Sequence, residues 1–160
     1  MSDIRMIEIT EKSITKREAI ARGEVILSPD TVRLIREGKI PKGDVLSCAQ
    51  VAGIMAVKKT PYLIPMCHPV RITGASINFK LKEDKIEIEV RVKATDRTGV
   101  EMEALTGLAV VGLTIYDMCK AVDRDILLSN MRLIEKRGGK SGNFIRKEVK
   151  EKNGGKNNFH

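Results

Sequence analysis

The sequence contains no tryptophan, two tyrosines and three phenylalanines, so aromatic residues make up only 3% of its 160 positions. A protein that grips single-stranded nucleic acid by stacking bases on aromatic faces needs more of them. Cysteine is equally sparse. Cys48, Cys67 and Cys119 are odd in number and widely separated, which argues against a disulfide framework and for a reducing, cytoplasmic location. The paired Cys and His spacings of a four-ligand zinc site are missing too, and no metal site is expected. Only two histidines occur, His68 and the terminal His160. No apolar run reaches the roughly 18 residues of a membrane span, and Met1 to Met6 lack the basic-then-apolar order of an export signal, so no membrane association is expected.

Positive charge, in contrast, is in surplus. Lysine and arginine number 29 against 21 acidic residues, a formal net charge of +8. Such a balance suits either nucleic acid or a polyphosphate small molecule, and the shortage of aromatics counts against the first. Part of the surplus sits in the last residues, where Lys, Arg, Asn and Gly predominate. Residues 1–147 therefore read as one domain and 148–160 as a basic flexible tail. A chain of this length buries roughly two-thirds of its unfolded surface around one core.

Periodicity outlines an α+β chain. Arg17 to Leu27 mixes alternation with alanines and ends in a strand at Glu24 to Leu27. Ser28-Pro29 announces a helix that Gly38 can stop, because Ser caps well and Pro lacks the N–H that the first turn leaves unpaired. Asp44 caps a second helix carrying Val45, Ala49, Ala52 and Ala56, which Thr60-Pro61 should end. Strands follow from Ile72 to Leu81 and from Ile86 to Val92 around a Lys82-to-Lys85 turn. A long helix spans Gly99 to Lys120, with Leu105, Leu108, Gly112, Ile115, Cys119 and Val122 as its apolar stripe. Ile126 to Ile134 and Phe144 to Val149 are the last strand candidates. Helices on one antiparallel sheet make a sandwich, with ferredoxin-like order as the expectation.

Three constellations have residue types suited to chemistry. His68, in Leu63-Ile64-Pro65-Met66-Cys67-His68-Pro69, is either a proton handler or phosphate ligand near neutral pH, or a structural histidine. Its neighbour Cys67 is either a nucleophile or a small buried thiol. Lys136-Arg137-Gly138-Gly139-Lys140-Ser141-Gly142 has the glycines and cations of an anion-binding loop but not the spacing of a P-loop, and a plain surface turn competes with that reading. Asp117 and Lys120 stand one turn apart on the long helix, as an acid/base unit or as a surface ion pair. Glu103 and Asp117 lie fourteen positions apart, roughly 21 Å along a helix axis. One reacting centre cannot touch both. If both ends of the helix function, the site must be assembled from two chains, which implies a symmetric dimer.

Taken together, Lys42-Gly43-Asp44-Val45, Leu63 to Pro69, Thr98-Gly99-Val100-Glu101-Met102-Glu103-Ala104-Leu105-Thr106, Leu113 to Ala121 and Gly138 to Gly142 closely resemble the cyclic pyranopterin monophosphate synthase family of molybdenum-cofactor biosynthesis. The likeness runs from about Arg17 to Phe144. It implies a lyase that rearranges 3',8-cyclo-7,8-dihydro-GTP to the cyclic pyranopterin with release of pyrophosphate. It also implies no redox cofactor and a homohexamer built as a trimer of dimers with pockets at the dimer interface; a magnesium ion could assist the chemistry, but no ligand set in the sequence demands one. By the same resemblance Asp117 and Lys120 match catalytic positions. Met66, Cys67, His68, Met102 and Glu103 match substrate-binding positions, and Lys42, Glu101 and Lys136 match other positions of the pocket. Met66 departs from the leucine of many members, a conservative change.

Overall fold

Two of the three helices start where the sequence supplies a cap. The Ser28 hydroxyl accepts from the Thr31 amide at 3.2 Å, and the Asp44 carboxylate accepts from the Ser47 amide at 3.1 Å. In a computed structural model describing residues 1–148, these caps open α1 (Pro29–Arg36) and α2 (Val45–Leu63). The other elements are β1 (Thr15–Ile26), β2 (Ile72–Leu81), β3 (Lys85–Asp96), α3 (Glu101–Cys119), β4 (Leu127–Arg137) and the short β5 (Phe144–Ile145). The expected tail, Glu148 apart, and the Val149 end of the last strand candidate lie outside the described residues.

The strands form one antiparallel sheet in the order β2-β3-β1-β4-β5. β1 and β2 flank β3, while β3 and β4 flank β1, so two split βαβ units interleave. This is the ferredoxin-like arrangement of an α+β sandwich. α2 and α3 lie side by side against the sheet. β3 alternates strictly: Ile86, Ile88, Val90 and Val92 are fully buried toward the helices, and Glu87, Arg91 and Lys93 point the other way. Each such aliphatic side chain contributes about 1.5–3 kcal/mol by leaving water. On the opposite face charge pairs tie the strands together, among them Arg22–Glu89 at 2.7 Å and Arg91–Glu18 at 2.6 Å.

Several expectations need correction. β1 covers twelve residues rather than the four from Glu24 to Leu27. It is paired on both sides, and Gly23 gives Leu108 and Met131 room to approach; a Cβ there would lie 2.9 Å from Met131 Cγ and 3.4 Å from Leu108 Cδ1. Tertiary pairing thus overrides the modest strand propensity of Ala, Arg and Glu. α2 runs past Thr60-Pro61 to Leu63. Pro61 sits in the last turn, where only one backbone bond is forgone, and the Thr60 hydroxyl donates to Ala56 O at 2.9 Å. The buried face of α3 includes Leu108, Gly112, Ile115 and Cys119 of the expected stripe and is wider than it, taking in Ala104, Gly107, Val111 and Met118 as well. Leu105 is half-buried, and Val122 lies beyond the helix, 41% exposed. α3 is also long and apolar enough to cross a membrane, at 19 residues and mean hydropathy 1.3, contrary to expectation. Its apolar content is explained by its fully buried face against the sheet and α2.

Candidate active site

Charge collects at both ends of α3. At its C-terminal end Asp117 stands between two cations: Lys42 Nζ is 2.9 Å from Oδ2 and Lys120 Nζ is 3.0 Å from Oδ1. Lys120 arrives by helix spacing alone. Lys42 arrives because the α1–α2 connection turns at Gly43, whose φ of +104° suits glycine, and places the lysine over the end of α3. The hydrogen bonds from Lys42 and then Lys120 hold the Asp117 carboxyl below its ordinary range. Asp117 is therefore a carboxylate throughout the neutral range, flanked by two ammonium donors.

At the N-terminal end α3 starts after Val100, which supplies no side-chain cap, so the amides of Glu101 and Met102 have no cap from it, while that of Glu103 serves its own carboxylate. Beside it lies a cavity of about 220 Å³ lined by Lys12, Ser13, Arg17, Thr98, Gly99, Glu101, Lys136, Lys140 and Ser141. Four cations face one carboxylate, and Lys136 Nζ meets Glu101 Oε1 at 2.5 Å. Open helix amides and a surplus of cations together suit an anion. Arg17 is 8% exposed and fixed by donating to Asp96 O at 3.3 Å and Arg97 O at 3.1 Å. The Gly138-Gly139 turn closes directly on it. Both glycines have positive φ, and a Cβ on Gly139 would collide with the Arg17 guanidinium. The anion-loop reading of this segment thus gains a cavity, and the plain-turn reading loses ground.

Glu103, one turn into the helix from Val100, is 3% exposed and borders a second, smaller cleft with Val57, Pro61, Tyr62, Pro69 and Val70. Burial pushes its carboxyl up to about 7, the Glu101 charge adds to the rise, and its own amide partly offsets it. Glu103 is thus poised to gain or lose a proton near neutrality. Cys67 lies close enough to feel it: the thiol is raised first by burial and then by Glu103, which disfavours the thiolate and the nucleophile reading. His68 is half-buried next to the N-terminal arm. Glu8, lowered chiefly by its hydrogen bonds with Thr10, also feels the imidazole. Met66 and Met102 are 44% and 38% exposed.

One protomer therefore separates the expected residues into two groups. Lys42, Asp117 and Lys120 stand together. Cys67, Glu101, Glu103 and Lys136 gather at the other end of the same helix. Sequence reasoning missed Lys12, Ser13 and Arg17 as lining residues. Arg17 carried a signal, since it is a cation on what becomes the inward-facing register of Ala19 and Ala21, but the signal is legible only once the strand is recognised. Gly112, one of the expected stripe residues, accommodates this chain's own Met131 and Leu128, which a Cβ would meet at 2.7 and 2.9 Å.

A ferredoxin-like sandwich with a lysine-flanked carboxylate and a cation-lined cavity defines a class: α+β proteins whose site suits an anionic small molecule. Within that class the chain belongs to the MoaC family, whose model matches residues 6–139. It is 56% identical over 146 residues to a cyclic pyranopterin monophosphate synthase of Heliobacterium modesticaldum, spanning 90% of this chain and 92% of that one. A protein of the same name from Desulfitobacterium hafniense is 57% identical over 145 residues, covering 90% and 89%. One from Chloroflexus aggregans is 53% identical over 146 residues, covering 90% and 88%.

Proposed function

We propose that this chain is a cyclic pyranopterin monophosphate synthase, a lyase that rearranges 3',8-cyclo-7,8-dihydro-GTP into the cyclic pyranopterin and releases pyrophosphate. The observation that carries the proposal is the cavity at the open end of α3, where Lys12, Arg17, Lys136 and Lys140 outnumber Glu101. A triphosphate needs such neutralisation both to bind and to let pyrophosphate leave. In the phosphate-closing step a sugar hydroxyl oxygen attacks the α-phosphorus, the bond to the β-phosphate oxygen breaks, and the hydroxyl proton passes to a base. Ring opening and reclosure need further proton transfers at nitrogen and carbon. Asp117 as acceptor with Lys120 and Lys42 as donors is suited to these, and Glu103 offers a second acid/base group. Met66, Cys67, His68 and Met102 serve substrate binding in this scheme, with His68 also a candidate for phosphate contact.

The separation of the two groups along α3 supports a site shared by two antiparallel protomers, each giving its Asp117 end to the other's cavity. Exposed apolar residues on the outer faces of the helices, Val51 and Met55 on α2 and Leu113 and Tyr116 on α3, favour association, and a trimer of such dimers gives the hexamer. The scheme uses no redox cofactor. Among the described residues no group of three or more His, Cys, Asp or Glu is gathered for a metal, so a magnesium ion would be held largely by substrate phosphates. Free thiols at Cys48, Cys67 and Cys119 support a cytoplasmic location. Incubation with the cyclised GTP precursor tests the proposal. Pyrophosphate and a pterin that fluoresces after oxidation should appear together, and Asp117→Asn or Lys120→Ala should lower turnover at least about 100-fold with folding intact. Neither product from the wild-type protein would refute it.

A further inference from the structure

The wall of the anion cavity opposite β4 is not part of the sandwich. It is a stretch of the N-terminal arm, whose residues 1–14 are all exposed except the half-buried Ile9. Lys12 and Ser13 nonetheless line the cavity. The arm makes a turn of its own, with Lys12 N donating to Ile9 O at 3.0 Å and Thr10 N to the Glu8 carboxylate at 2.9 Å. Among the described residues one side chain hydrogen-bonds it to the sandwich: Arg97 Nη1 donates to Thr10 O at 3.1 Å and to Lys12 O at 2.6 Å. The main chain of Arg97 is fixed independently, its N–H on Asp96 Oδ1 at 2.7 Å and its carbonyl on Arg17 Nη2 at 3.1 Å. A residue whose main chain is held at the sandwich thus reaches out and holds two carbonyls of an exposed segment, one of them that of Lys12 itself.

Resting on the polyphosphate role assigned above, we propose that Arg97 is a positioning residue that latches the arm against the cavity and so delivers the Lys12 ammonium to the bound polyphosphate. A loose arm would leave Lys12 a flexible, strongly hydrated cation whose ordering must be met by the binding energy itself. The latch makes that ordering a property of the free protein. Arg97 acts through its guanidinium alone, so replacing the side chain leaves the Arg17 contact with its carbonyl in place.

The test is calorimetric titration of the full chain with inorganic pyrophosphate at fixed salt, joined to hydrogen exchange of the arm amides. Lys12→Gln should weaken binding about tenfold, the scale of a charged hydrogen bond. Arg97→Ala should weaken it by a similar factor and Arg97→Lys by less. The double variant should be no weaker than Lys12→Gln by more than about twofold, because both changes remove the same contact. Exchange at Thr10 and Lys12 should speed up in Arg97→Ala and slow again in Arg97→Lys. Arg97→Gln, which keeps the aliphatic stem, stands in if the alanine variant fails to fold. Unchanged arm exchange, affinity losses that add in the double variant, or a wild-type protein that takes up no pyrophosphate would each overturn the latch. A wild type that binds pyrophosphate with this pattern of variants yet releases none from the cyclised GTP would contradict the lyase assignment and leave the latch standing.

Discussion

Glu103 and Asp117 carry the same functional group and are set in opposite ways. Asp117 is exposed and hydrogen-bonded by two lysines, which hold it below its ordinary range. Glu103 is buried, with its carboxyl pushed up to about 7. A raised carboxyl binds its proton more tightly folded than unfolded, so its stabilising contribution is fully present below the unfolded value of 4.5 and is lost as pH rises through about 7. The loss amounts to about 3 kcal/mol across that window. Urea unfolding at the two ends of the window should show it. Glu103→Gln, neutral at every pH, should remove most of that slope; an unaltered slope would mean that Glu103 is ionised where it sits. Asp117, ionised across the whole range, should contribute nothing to it.

At the scale of elements, α2 and α3 approach closely because glycine stands on both sides of the contact. A Cβ on Gly107 would come 2.8 Å from Val57 Cγ2, and one on Gly53 would come 2.5 Å from Val111 Cγ2. Gly107→Ala should therefore destabilise by about 1–3 kcal/mol through overpacking. Gly74→Ala, with nothing within 4 Å of the added carbon, should stay within about 0.5 kcal/mol. Equal stability of the two variants would contradict this packing. The same elements mark what the sequence makes legible. Caps at Ser28 and Asp44, the strict alternation of β3 and the extent of α3 follow local rules and are read correctly. β1 is hidden, because a central strand of Ala, Gly, Arg and Glu gains its conformation from neighbours on both sides. The helix-end pair Asp117–Lys120 is a matter of spacing, whereas the reach of Lys42 to it and of Lys12 and Arg17 to the cavity is a matter of tertiary path. No local pattern encodes that.

The whole molecule is organised around a helix with candidate site residues at both ends, Glu103 and Asp117 lying roughly 21 Å apart along its axis. In the proposed scheme neither end alone would suffice for a triphosphate neutralised at one place and receiving protons at another. In the proposed dimer a second copy, antiparallel to the first, would bring unlike ends together twice. Subunit mixing tests this most directly. Asp117→Asn and Lys136→Ala, each at least about 100-fold impaired alone, should regain roughly a quarter of wild-type activity when unfolded together and reassembled at equal amounts, because half of the random dimers then hold one intact site. A mixture no more active than its two parents would contradict a site shared between protomers.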